Sequence, residues 1–450
     1  MKRKSVRIFG AGLCGSLLSI ILARRGFCVT VYERENDPRS EAARAGRSIN
    51  LAMSARGIRA LKHAGIFSLV EPLLVPMRGR FVHHEDGATE MLKYGQRPEE
   101  QIYSVSRAGL NQLLLSAAEK DHGIDIHFQH EAIALDAGGV RIGRYADGAE
   151  LLVPDTPVIA ADGAGSIFRR SLDYSGAISA TETLLDHSYK ELNVPPGPAG
   201  EFRMEPGALH IWPRGGFMLI ALPNPGGDFT LTLFLPNESP NSFSNLRTPQ
   251  EIAAFFETHF ADVTELMPDL IATFERNPVG ILGTVRCDRW HDDGRVLLVG
   301  DAAHAVVPFH GQGMNLAFED CVVLDQILED ADSSWQDVFA RFESAQLANA
   351  NAIAAMALEN YVEMRDTVRN PKYLLQKELG FELERRLPKV FIPRYSMVMF
   401  HAEIPYAIAQ QRGNVQAELL DELTRDADEL GQIDIDGAER EAASRLTPLS

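Results

Sequence analysis

Cysteine is scarce. Cys14, Cys28, Cys287 and Cys321 are spread through 450 residues with no C-x-x-C spacing and no His-Cys cluster. That excludes a disulfide-stapled scaffold and a thiolate metal site, so no metal is expected, and it fits reduced thiols in a cytoplasmic protein. Long apolar runs are missing as well. The run after the basic N-terminus is broken by Gly10, Gly12 and Gly15 and leads into the strand-like Cys28 to Glu33, so it reads neither as a leader nor as a span. Positive charge is in short supply, with 44 Lys and Arg against 62 Asp and Glu and a net charge of -18. Such a balance argues against nucleic acid and membrane surfaces as partners. No Ser-His-Asp or paired-carboxylate pattern, internal repeat or low-complexity tract is present. A 45% hydrophobic fraction over this length supports two or three domains with ample core.

What is there begins at Ser5 to Phe9, which reads as a short buried strand. Gly10-Ala11-Gly12-Leu13-Cys14-Gly15 follows, and Leu13 to Arg25 reads as an amphipathic helix. A second strand, Cys28 to Tyr32, ends in Glu33, 18 residues after Gly15. Strand, G-x-G-x-x-G turn, helix, strand and terminal acid together form a dinucleotide fingerprint. Gly10 permits the tight turn, Gly12 lets a pyrophosphate approach the backbone, and Gly15 lets helix and strand pack closely. The helix N-terminus supplies positive potential. Glu33 is placed to accept from ribose hydroxyls.

Two later stretches repeat the design. Val158 to Ala164 reads as a strand ending in Asp162-Gly163, before a helix that contains Arg169. Val296 to Asp301 is an apolar strand ending in Gly300-Asp301. An acid at a strand end, before a glycine-rich turn and a helix, suits the hydroxyls of a ribityl or ribose chain. Gly311-Gln312-Gly313-Met314-Asn315 then opens a helix whose apolar positions fall at helical spacing. Its glycines would bring backbone amides against an isoalloxazine ring, where reduction builds negative charge. FAD therefore fits better than a nicotinamide cofactor alone. With no second G-x-G-x-x-G in the chain, any nicotinamide co-substrate is expected to bind only transiently.

These motifs together resemble the single-component FAD-dependent aromatic hydroxylases, and within them the branch whose substrate is kynurenine. The similarity runs nearly the whole chain: GRSINLAMSARGIRAL from Gly46, MRGR from Met77, YSVSRAGLNQLLL from Tyr103, SYKEL from Ser188, and LHIWPRGGFMLIALPN from Leu209. It continues through FTLTLFLP from Phe229, PFHGQGMN from Pro308, ENYVEM from Glu359 and FIPRYSM from Phe391. Two positions depart from it. Ser188 stands where Gly is expected, and His310 where many relatives carry Phe.

The resemblance implies an α/β protein with a Rossmann-like FAD-binding domain, an antiparallel-sheet substrate domain and a C-terminal helical region. The expected divisions are 1–70, 101–175 and 280–335 for FAD, 71–100 and 176–279 for the sheet, and 336–450 for the helices. Period-2 alternation in Phe229 to Phe234 supports the sheet, with apolar and hydroxyl side chains on opposite faces. The same resemblance adds Cys14, Tyr32, Arg34, Ala52 and Arg107 to the cofactor set, and it gives a substrate clamp of Arg80, Tyr94, Asn360 and Tyr395. Leu209, Ile220, Leu222 and Phe234 are candidate pocket walls or plain core. Phe309, His310 and Gln312 would border the substrate ring beside the flavin, whereas His304 reads as structural. The implied reaction is hydroxylation of L-kynurenine by O2 with NADPH, through a flavin hydroperoxide. Another aromatic substrate, or a flavin-binding relative without oxygenase activity, are the alternatives.

Overall fold

The computed structural model describes residues 5–40, 50–136, 138–154, 157–330, 333–366 and 370–449, so residues 46–49 of the stretch from Gly46 lie outside the described residues. The chain forms two compact units. One comprises Met1–Leu74, Val105–Leu184 and Gly283–Ala354, and the other Val75–Ser104, Leu185–Leu282 and Ala355–Ser450.

The first unit is built on a six-stranded sheet in the order His291–Asp292, Val296–Leu298, Val158–Ala160, Ser5–Phe9, Cys28–Tyr32, Asp125–His127. All neighbours are parallel except the first pair. Val, Ile and Leu fill these short strands because both faces of such a sheet are covered. The helix after the first strand spans Leu13–Arg24 and is not amphipathic: nearly every residue from Leu13 to Leu22 is buried. It packs on strands Ser5–Phe9 and Cys28–Tyr32 and also on helices Arg107–His122 and Gly313–Ile327, so no face is left for water. Its buried hydroxyls are satisfied locally, Ser16 donating to the Ala11 carbonyl (3.0 Å) and Ser19 to that of Ser16 (2.7 Å).

A seven-stranded sheet organises the second unit. Its order is Gly280–Cys287, Ala180–Val194, Phe229–Pro236, Met218–Pro223, Leu209–Pro213, Gly79–His83, Thr89–Lys93. Leu209–Pro213 and Gly79–His83 are parallel, although about 130 positions apart. The strands Phe229–Pro236, Met218–Pro223 and Leu209–Pro213 form the expected antiparallel meander. One face carries Trp212, Leu219, Ala221, Phe229, Leu231 and Leu233, which pack against Ile252, Phe256, Phe260 and Phe274 of the helical segment from Pro249 to Arg276. The helix Pro249–His259 starts in a capping box of Thr248 and Glu251. Beyond residue 355 the chain is helical, and Leu379, Leu383, Phe391, Leu419 and Ala438 form a separate core there. Among the described residues no helix is long and apolar enough to cross a membrane.

Candidate functional site

In the first unit, register brings the acid-bearing turns together. Phe9, Ala160 and Leu298 are in-line partners on adjacent parallel strands. The turns Gly10 to Gly15, Asp162-Gly163 and Gly300-Asp301 therefore leave the sheet side by side at its carboxyl edge, where parallel sheets hold their ligands. Each glycine meets a different demand. Gly10 has φ +99°, and a Cβ there would lie 2.3 Å from the Ala161 carbonyl oxygen. At Gly15 a Cβ would lie 2.0 Å from the Gly10 oxygen. Gly12 differs: a Cβ there would meet nothing within 4 Å, so its side of the turn is open, and the helix it starts has no acid in its first turn.

The acids are placed unequally. Glu33 accepts from the Ala11 amide (2.7 Å) and the Glu35 amide (2.9 Å), which uses part of its capacity and fixes its orientation. Asp162 accepts from the Ile167 amide through Oδ2 (2.8 Å), while its Oδ1 is buried without a protein partner. Burial pushes the Asp162 carboxyl up. A buried acceptor left over at the mouth of a nucleotide turn is what a ligand donor would satisfy. Asp301 is exposed at the start of the short helix Asp301–His304. The other predicted contacts are mixed. Tyr32 stacks between Phe9 (5.1 Å) and His127 (5.2 Å), and Arg34 and Arg107 are exposed. Cys14 sits against Cys321, with sulfurs 3.9 Å apart.

Phe309 and His310 are buried in a turn of 3-10 helix, Pro308–His310, and Gln312 is buried directly before the helix Gly313–Ile327. Asn315 is a clasp: its amide donates to the carbonyls of Ala52 and Gly311 (2.8 Å each), and its oxygen accepts from the Ser54 amide (3.0 Å). Any cofactor contact at Asn315 is thus left to backbone. Two residues with no assigned role brace the turns. The buried Arg169 donates to the carbonyls of Ala302 (3.0 Å) and Ala164, linking two of them. Asp320 accepts from the Gly300 amide (3.0 Å), from Gln346 (3.0 Å) and from His304 Nε2 (2.7 Å). That partner is what the structural reading of His304 required.

In the second unit the four residues expected to form a clamp come together. Arg80 Nη2 reaches the Asn360 side-chain oxygen (3.3 Å), and its guanidinium lies over the rings of Tyr94 (5.9 Å) and Tyr395 (5.3 Å). Those rings stack on each other at 5.2 Å and 16°. Sequence reasoning missed the partner that holds the guanidinium: Arg80 Nη1 donates to Glu363 (2.9 Å), which also accepts from Tyr373 (2.8 Å). Burial works against the Glu363 charge, but Arg80 outweighs it and holds the carboxyl below its ordinary range. Burial raises the Tyr94 and Tyr395 phenols. It also lowers Lys377 nearby to about 8, with the Arg80 charge adding to the effect. Glu363 lies three residues after Asn360 on one helix, and that spacing was a usable signal.

Strand register also sorts the wall candidates. Arg80 is in line with Leu209, Ile211 with Ile220, Leu222 with Thr230, and Met218 with Phe234. By alternation Arg80, Leu209, Ile220, Leu222 and Phe234 all share one face, opposite the helix-packed core. Thr230 and Thr232 lie on this face too and are buried with it.

Comparison with known proteins decides the family. An FAD binding domain family matches residues 3–336. The chain is 48% identical over 452 residues to the kynurenine 3-monooxygenase of Xanthomonas axonopodis pv. citri (strain 306), covering all of this chain and 98% of that one. It is 47% identical to the enzyme of the same name from Stenotrophomonas maltophilia (strain K279a), covering 99% and 98%. The chain belongs to the kynurenine 3-monooxygenase family. It is thus an FAD-dependent monooxygenase with the mixed α/β fold of the FAD-dependent hydroxylases. Among solved structures, 2-methyl-3-hydroxypyridine-5-carboxylic acid oxygenase matches with a TM-score of 0.66 at 22% identity, covering 82% of this chain and 95% of that one, a likeness of fold.

Proposed function

We propose that the chain hydroxylates L-kynurenine to 3-hydroxykynurenine, using FAD, NADPH and O2. The observation that carries the substrate is the Arg80 cluster. A free amino acid brings a carboxylate and an ammonium, and the second unit holds a buried guanidinium and a carboxylate side by side. The substrate carboxylate joins Arg80 as a bidentate pair while the ammonium joins Glu363, so each buried charge exchanges one partner for another and none is left uncompensated. Tyr94, Tyr395 and Asn360 donate to the carboxylate and shield it. The face formed by Leu209, Ile220, Leu222 and Phe234 takes the apolar ring.

In the first unit, Gly10, Gly12 and Gly15 with the Leu13–Arg24 helix N-terminus would hold the FAD pyrophosphate, and Glu33 the ribose. Asp162 and Asp301 would accept cofactor hydroxyls or amides, and the amides of Gly313 to Asn315 would face the ring. Cys14, Tyr32, Arg34, Ala52 and Arg107 complete that set. FAD supplies the oxygen chemistry, with electrons from NADPH. The protein's part is to orient the ring of the substrate and exclude water, and Phe309, His310 and Gln312 are assigned to the border of that ring. No strong protein base is needed, because an aminophenyl ring is electron-rich. The acidic composition and free thiols support a cytoplasmic protein without nucleic-acid or membrane partners.

The test is NADPH oxidation by the FAD-loaded protein with and without L-kynurenine. Acceleration by kynurenine that Arg80→Ala abolishes at the same concentration supports the reading. A rate indifferent to kynurenine contradicts it.

A further inference from the structure

The segment after Tyr94 is folded back on itself by one carboxylate. Glu100 is buried, and its Oε2 accepts from the amides of Gln96 (2.7 Å) and Arg97 (2.9 Å), while its Oε1 accepts from Arg97 Nη1 (2.7 Å). The carboxylate fits there because residue 95 is glycine: a Cβ on Gly95 would lie 2.3 Å from Glu100 Oε2. Two side chains of this bend reach the helix Pro371–Arg386. Gln96 Nε2 donates to the Phe381 carbonyl (3.0 Å) and to Glu384 Oε2 (2.8 Å). Arg97 Nη1 lies 3.6 Å from Glu384 Oε1, an ion contact too long for a hydrogen bond, and that oxygen is buried without a hydrogen-bond partner. Glu384 itself is wholly buried, and a carboxyl taken out of water is costly unless its contacts compensate it. Neither the clamp nor the nucleotide turns use it.

We infer that Glu384 is a positioning residue for the carboxylate end of the substrate: it holds Gln96 and Arg97, and through them the stretch of backbone that carries Tyr94. The inference rests on the reading of Arg80, Tyr94, Asn360 and Tyr395 as the clamp. Among the described residues Glu384 bonds none of these four side chains, so its influence on the substrate passes through the bend. Tyr94 is fastened on both sides. Its own amide donates to the Arg78 carbonyl (3.1 Å). Downstream, the nearest side chain tied to the helix is Gln96, two residues or about 7 Å of chain away. Without Glu384, Gln96 keeps only the Phe381 carbonyl and Arg97 only Glu100, so the bend stays folded but is loosely fastened. A phenol serves an anion site only while it is held within about 0.5 Å of its productive place. Loosening the bend therefore costs Tyr94 its fixed distance to Arg80, over whose partner ring Tyr395 it stacks.

The experiment compares two ligands of the FAD-loaded protein, titrated by the change in flavin absorbance: L-kynurenine, and its analogue with hydrogen in place of the carboxylate. Glu384→Met, similar in length and apolar, should weaken kynurenine about tenfold, as for the loss of a charge-assisted bond, and the analogue by less than about twofold. Glu384→Gln, which keeps an acceptor for Gln96, should recover most of the kynurenine affinity. In a Tyr94→Phe background, Glu384→Met should add no further loss. Equal weakening of both ligands, or a full additional loss in the Tyr94→Phe background, would mean that Glu384 supports the helix alone and would overturn the inference, as would unchanged kynurenine affinity. If Glu384→Met does not fold, Gln96→Ala cuts the same link from its exposed side and should show the same contrast between ligands; its absence counts against the inference. The clamp reading fails separately: Tyr94→Phe that binds kynurenine as wild type does overturns that reading, and the inference with it.

Discussion

Arg80 is the residue on which the substrate reading turns. Truncation to alanine removes the carboxylate partner and leaves Glu363 buried without its cation. Substrate binding should weaken by roughly 2–5 kcal/mol, the cost of breaking a buried charged pair, measured by equilibrium titration of the FAD-loaded protein. Unchanged affinity would falsify the clamp. Glu363→Gln should separate from it: the ammonium loses its counter-charge while Arg80 is released to the carboxylate. Affinity for kynurenine should then fall more than affinity for its desamino analogue, and equal losses would mean that Glu363 does not read the ammonium. The two residues were not equally legible. Arg80 stood out only through resemblance, since an arginine in MRGR has no pattern of its own. Glu363 was marked only by its spacing from Asn360 among the many acids of an acidic chain, and the structure gave it its partner.

At the scale of elements, the nucleotide turn tolerates no side chain at Gly10. The positive φ alone costs about 1–3 kcal/mol for alanine, and the 2.3 Å approach to the Ala161 oxygen adds to it. Gly10→Ala should purify with little FAD and melt earlier than wild type even without cofactor. Normal flavin content would contradict the tight-turn assignment. Three helix C-termini are also tied together here. Arg25, after Leu13–Arg24, and His63, at the end of Ala55–His63, both bond Asp325 near the end of Gly313–Ile327, at 2.5 and 2.7 Å. Burial raises the Asp325 carboxyl, but these two bonds outweigh it and leave it lowered. A lowered carboxyl stabilises the fold above the ordinary aspartate range and loses that contribution as pH falls through its folded value. Asp325→Asn should therefore cost about 1.5–3 kcal/mol at pH 7, and the gap from wild type should close below about pH 4, as followed by thermal melting. Strands were the most legible elements, because apolar runs bounded by glycine and acid leave few choices. The first helix was misread as amphipathic because its serines look exposed in sequence. They are buried, with their hydroxyls bonded to backbone.

For the whole molecule, the sequence carried the motifs but not the order of the second sheet. Nothing in the alternation of Phe229 to Phe234 says that Leu209–Pro213 will pair in parallel with Gly79–His83. Long-range pairing of this kind is chosen by packing on both faces, and that choice is what puts Arg80 on the face of Leu209, Ile220, Leu222 and Phe234. FAD should raise the melting temperature, by about 2.7 kcal/mol of stabilisation at a free concentration a hundredfold above Kd. No shift at saturating FAD would argue against the cofactor site.

The most direct test of the account is the mass of the product formed from L-kynurenine by the purified protein with FAD, NADPH and air. The account predicts a product one oxygen atom heavier, with the hydroxyl on ring carbon 3. NADPH consumed with only hydrogen peroxide formed and kynurenine recovered unchanged would contradict it.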